Sequence, residues 1–119
     1  MRKLIALAAL AALVSVPAAL AKERNIALTG VPSAPKAGKA FTVTISVTRD
    51  KQPSAGKAPT VRLLSSSISV INITSRETER LGVYRARIVF PSAGMWRVVV
   101  IDRMTGRAYP FGRVRVRAS

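Results

Sequence analysis

Beyond its first two dozen residues the chain is dominated by a period-two alternation of apolar and polar positions. In AFTVTISVTRD, Phe41, Val43, Ile45 and Val47 fall on one side, and Thr42, Thr44, Ser46 and Thr48 on the other. Successive strand side chains point to opposite faces, so this pattern predicts a half-buried β-strand. The alternation recurs in TVRLL, where Val61 and Leu63 flank Arg62. It recurs in VYRARIVF, where Tyr84, Ala86, Ile88 and Phe90 oppose Arg85, Arg87 and Val89, and again where Trp96, Val98 and Val100 oppose Arg97, Val99 and Ile101. GRVRVRA sets Val114 and Val116 against Arg113, Arg115 and Arg117, and residues 25–29 add a short strand. SISVINITS changes phase, with Ile68 and Val70 on one side and Ile71 and Ile73 on the other. That change predicts a bulge, or two short strands meeting at a bend. No window sustains a helical period.

Polar segments with turn residues separate these runs. VPSAPKAGK, RDKQPSAGKAP and DRMTGRA carry the prolines and glycines expected of connections, and RETER is predicted to be a turn. About seven strands at intervals of roughly ten residues predict an all-β, immunoglobulin-like β-sandwich. A small barrel has the same local pattern.

The first 21 residues read differently. Arg2 and Lys3 precede an apolar run over residues 4–14, Pro17 breaks it, and Ala19-Leu20-Ala21 places small residues at the positions a signal peptidase reads. Residues 1–21 are therefore expected to be a signal peptide cleaved near Ala21, and residues 22–119 the sandwich domain. The protein is expected to be exported, to the periplasm or outside the cell. Retention of the segment as an anchor is the alternative, although residues 4–20 are near the lower limit for a membrane span. The chain has no cysteine, so it offers neither a lipidation site nor the disulfides common in small exported domains.

Charge sharpens the expected location into an expected class of partner. Twenty Lys and Arg stand against five Asp and Glu, a net charge of +15, and removal of Arg2 and Lys3 leaves +13. Such a field attracts polyanions. An exported protein is not expected to meet nucleic acid, which leaves an envelope protein, envelope polymers or anionic lipid as the anions, with peripheral membrane association among the outcomes. Arginine serving only as a solvated surface residue is the alternative.

AGKAFTVTISVTRDKQPSAGKAPTVRL, GVYRARIVFPSAGMWRVVV and FGRVRV together resemble the YtkA-like and FixH-like group of small exported or membrane-anchored immunoglobulin-like domains. The resemblance spans residues 35–116. It implies that PSAGMWRV forms the corner between sheets, with Gly94 in the sharp turn, Trp96 plugging the corner and Val98 where related domains carry a cysteine. The indole N–H of a buried Trp96 needs a backbone acceptor. The group is associated with copper handling and with assembly of membrane oxidases or cation pumps. Here the ligand types depart from that association. A copper site calls for His, Cys or clustered Met, and this chain has no His and no Cys, with Met95 and Met104 its only methionines after residue 21. No cofactor and no metal site are expected.

Nor do the residues point to an enzyme. Without His or Cys there is neither a Ser-His-Asp triad nor a thiol nucleophile. Glu23, Asp50, Glu77, Glu79 and Asp102 are the acids. Glu77 and Glu79, between Arg76 and Arg80, are expected to be solvated ion-pair partners. Asn72-Ile73-Thr74 matches a glycosylation sequon but reads better as strand.

The remaining candidate is a surface. In the immunoglobulin arrangement the third, sixth and seventh strands share a sheet. Its outer side would then carry Arg62, Arg97, Val99, Ile101, Arg113, Arg115 and Arg117, with Arg85 and Arg87 on the other sheet. As a docking face, the guanidinium groups would fork carboxylates or phosphates around a dry centre at Val99 and Ile101. As a solvated face, the arginine stems would merely cover exposed aliphatic carbons.

Overall fold

A computed structural model describes residues 24–67 and 69–119. The signal peptide expected at residues 1–21 and its cleavage near Ala21 lie outside the described residues, as does Ile68. The described chain is a β-sandwich. Its strands are β1 (Arg24–Thr29), β2 (Phe41–Arg49), β3 (Gln52–Pro53), β4 (Thr60–Ser65), β5 (Val70–Thr74), β6 (Arg76–Glu77), β7 (Val83–Ile88), β8 (Gly94–Ile101) and β9 (Ala108–Val116). One sheet has the order β9-β8-β4-β5, the other β1-β2-β7-β6 with β3 paired to β2, and every pairing between named strands is antiparallel. The seven longer strands match the predicted number, and β3 and β6 are two-residue additions.

The alternation in the sequence fills the space between the sheets. Val43, Ile45 and Val47 of β2 and Tyr84, Ala86 and Ile88 of β7 are buried from one side. Val61 and Leu63 of β4 and Trp96, Val98 and Val100 of β8 meet them from the other. Phe90 stacks at 5.6 Å from Trp96 and 5.8 Å from Phe41 in tilted geometry. Burial of each valine, leucine, isoleucine and phenylalanine among them contributes about 1.5–3 kcal/mol against leaving it exposed. A chain with no disulfide depends on that term.

The expected corner is present. Gly94 opens β8 with φ of 125°, in the region that side chains other than glycine rarely adopt. The indole N–H of Trp96 donates to the Ser92 carbonyl oxygen at 3.0 Å, which supplies the acceptor that burial demands.

Two segments differ from the sequence pattern. RETER is only partly a turn: Arg76 and Glu77 pair with Arg85 and Tyr84 in the second sheet. The chain passes from one sheet to the other at Ser75, whose hydroxyl donates to the Pro59 carbonyl oxygen at 2.7 Å. The bulge or bend predicted from the phase change between Val70 and Ile71 is not there: the β4–β5 register runs through both residues without a shift, and β5 keeps strict alternation with Ile71 and Ile73 inward and Val70 out. The last strand also begins earlier than GRVRVRA, at Ala108. A register shift between Pro110 and Arg113 reverses the phase there, with Gly112 at φ of 95°. Pro110 is tolerated because β9 is an edge strand, where a missing N–H costs little.

Candidate docking face

β4, β8 and β9 share one sheet, so the outward positions of that sheet come together. Arg97 lies directly opposite Arg113 on β9 and Leu64 on β4. Arg115 lies opposite Met95. Val99 lies between Arg62 and Pro110, and Ile101 between Thr60 and Ala108. Arg117 follows β9 and forms a parallel bridge with Lys36, its backbone bonded to Pro35 and Ala37. Arg85 and Arg87 lie on β7, in the other sheet.

The face is divided along the strand direction. Arg97, Arg113, Arg115 and Arg117 gather at one end, while Leu64, Val99, Ile101 and Pro110 form an aliphatic stretch running toward the other. Arg62 stands apart from the arginine group. Its Nε donates to Asn72 Oδ1 at 2.8 Å, which draws the side chain toward β5. Leu64, Ser65, Ser66 and Met95 border a shallow depression between Arg97 and Arg113.

Acidic residues occupy the opposite pole. Asp50 lies in the β2–β3 turn, Glu77 and Glu79 border a depression with residues 55–56 and 80–84, and Asp102 follows β8. Among the described residues, the arginine end of the sandwich has Lys36, Lys39, Arg97, Arg113, Arg115 and Arg117 and no acid. The Arg97–Arg113 repulsion therefore has no nearby carboxylate to offset it. Directly opposed like charges cost a few tenths of a kcal/mol to about one. Arg113→Ala is expected to raise stability by roughly 0.5 kcal/mol at low salt and by less at high salt, where exposed charges are screened. Urea midpoints at the two ionic strengths measure this, and a loss of stability at low salt would contradict it.

Among the described residues Glu77 and Glu79 have no ion-pair partner. Among the described residues the ion pair is Arg24–Asp102, with Arg24 Nε donating to Asp102 Oδ2 at 2.7 Å and Nη2 to Oδ1 at 3.2 Å. It ties the first residue of β1 to the end of β8, across the two sheets. Asp102 Oδ1 also accepts the Met104 amide at 2.9 Å, and Arg24 Nη1 donates to Ser54 Oγ at 3.1 Å. Burial alone would push the Asp102 carboxyl up. The hydrogen bonds from Arg24 and the Met104 amide, the Arg24 charge and the Thr105 amide outweigh burial and hold it below the usual aspartate value. Tyr84 moves the other way, raised by burial and then by the Glu77 charge. The sequence contained no sign of the Arg24–Asp102 pair beyond an acid closing an apolar strand, because its members are 78 residues apart.

Met95 and Met104 are not brought together. Met95 is the second residue of β8, whereas Met104 lies past the other end of that strand and packs on Gly56.

No family model matches the sequence, and no curated protein matches it. Among solved structures, the chain is similar to a DUF4785 family protein from Legionella pneumophila subsp. pneumophila str. Philadelphia 1, with a TM-score of 0.53 and 14% identity. The match covers 81% of this chain and 29% of that one, so the chain spans less than a third of that protein's length. At this identity the likeness shows a shared fold.

Proposed function

We propose that the protein is an exported, non-catalytic immunoglobulin-like domain of the YtkA-like and FixH-like kind that binds and supports another component of the cell envelope. The docking face is the outer side of the β9-β8-β4-β5 sheet, and the partner is an acidic envelope protein or anionic surface. One observation carries this reading. Arg97, Arg113, Arg115 and Arg117 crowd one end of the face, the half-buried Val99 and Ile101 lead from them toward the other end, and every described acid lies at that other pole. A surface that keeps like charges adjacent without internal compensation is complementary to an anionic partner, and an aliphatic centre lets part of the contact become dry.

The test is charge reversal at Arg97 and Arg115 together. Both side chains point to solvent, so the fold is expected to survive, while retention of envelope components falls about tenfold or more, since charged contacts of this kind are worth 1.4 kcal/mol or above. Lys51→Glu with Lys57→Glu imposes the same change of net charge on loops at the acidic pole and is expected to leave retention within about twofold. Equal losses in the two double variants would mean that net charge, not this face, governs binding.

A further inference from the structure

The open edge of β5 is unlike the other borders of the sandwich. Residues 69–75 read SVINITS, with no charge, proline or glycine. Edge strands are ordinarily guarded by such residues or by a bulge, because their free N–H and C=O groups template further pairing. β9 has these guards: Pro110, a register shift, Arg113 and Arg115, and a bridge to Lys36 beyond its end. β1 borders the same side as β9, where Leu28, Val31, Phe111 and Val114 close around it. β5 ends its sheet with nothing paired to its outer side among the described residues.

The phase of that edge is fixed. Ser65 donates its amide to Ser69 at 3.0 Å and Ser75 donates its amide to Pro59 at 3.0 Å. Both are directly opposed residues in the β4–β5 register, so the odd-numbered residues of β5 turn their backbone groups toward β4. Val70, Asn72 and Thr74 turn theirs outward.

A groove runs beside this edge, between β5 and β7. Ile73, Thr74, Thr42 and the three arginines Arg76, Arg85 and Arg87 line it. Arg76 and Arg85 are directly opposed across the β6–β7 pairing, and none of the three has an ion-pair partner among the described residues.

We infer that the β5 edge takes an extended acidic segment of a partner protein as an added strand. Main-chain bonds to Val70, Asn72 and Thr74 supply the pairing, and carboxylates of the segment reach Arg76, Arg85 and Arg87. β-strand addition of this kind draws affinity from the backbone and selectivity from side chains beside the edge. A second copy of this chain fits less well, because its β5 carries no acid to meet those arginines. This surface is separate from the docking face proposed above and does not depend on it.

The probe is a short end-blocked peptide alternating glutamate and valine, followed by backbone amide resonances and hydrogen exchange of the protein. Binding is expected to shift and protect the amides of Val70, Asn72 and Thr74. Replacing glutamate by glutamine in the peptide, or methylating its alternate amides, is each expected to weaken binding about tenfold or more. Asn72→Pro removes an outward N–H and keeps the backbone bonds to β4, although it also removes the Arg62–Asn72 side-chain bond, and is expected to abolish binding; the methylated peptide tests the same contact with the native protein intact. The inference is overturned if the methylated peptide binds equally well, if the shifts map to Arg97, Arg113 and Arg115 instead, or if the β5 amides are already protected by self-association.

Discussion

Trp96→Ala is expected to remove a large share of the protein's stability. Trp96 is 1% exposed, packs on Phe90, and closes the corner through its bond to Ser92. Truncating a buried tryptophan costs about 3–5 kcal/mol. Domains of this size have about 5–15 kcal/mol in total, and here no disulfide limits the unfolded chain. For a domain near 100 residues each kcal/mol moves the midpoint by about 4–8 °C, so the expected fall is on the order of 20 °C. Trp96→Phe keeps most of the apolar volume but leaves the Ser92 carbonyl without its donor, and is expected to cost about half as much. Thermal melts followed by circular dichroism separate the two variants. A midpoint within a few degrees of the native protein for Trp96→Ala would show that the corner does not hold the sheets together.

The second large effect is expected at the clasp between the sheets. Arg24→Ala leaves the Asp102 carboxylate buried without its cation, and breaking a buried pair in this way costs about 3 kcal/mol or more. Its pH dependence has a definite sign. The Asp102 carboxyl is held below its unfolded value in the native protein. Its contribution is therefore complete above the unfolded value, about 3.9, and is lost as pH falls through the lower, folded value. In the variant, burial acts unopposed by Arg24, and protonation relieves the cost. The stability gap between native protein and variant is thus expected to be widest near neutrality and to narrow in acid. Urea titrations across that range measure it. A gap constant with pH would mean that Arg24 contributes by packing its stem and not by its charge.

These two sites were unequally legible in the sequence. The corner is local: Gly94, Trp96 and Val98 lie within five residues, and a buried indole must find an acceptor nearby. Strand faces were legible for the same reason, since Phe41 to Val47 and Tyr84 to Phe90 alternate strictly. The placement of Arg62, Arg97 and Arg113 on one sheet followed from the expected sheet order, although Arg62 stands apart from the other two. What the sequence hid depends on register and on long-range approach. The Arg24–Asp102 pair joins opposite ends of the domain's chain. The segregation of every described acid to one pole appears only once Asp50, Glu77, Glu79 and Asp102 are placed by the loops that converge there. The early start of β9 was masked by Pro110 and by the phase reversal after it, which split one strand into two patterns. The Arg62–Asn72 bond needs the β4–β5 register, and the apparent phase change around Val70 obscured that strand.

The arginine-flanked sheet face is the centre of the functional account. Immobilised protein exposed to solubilised envelope, then washed at low and at high salt, tests it most directly when run beside the Arg97→Glu, Arg115→Glu double variant. A discrete component is expected to survive the high-salt wash on the native protein and to be absent from the variant, as a partly dry contact on that face requires. Assorted anions retained only at low salt, or the same component held equally by the variant, would contradict it and leave the arginines as a solvated surface.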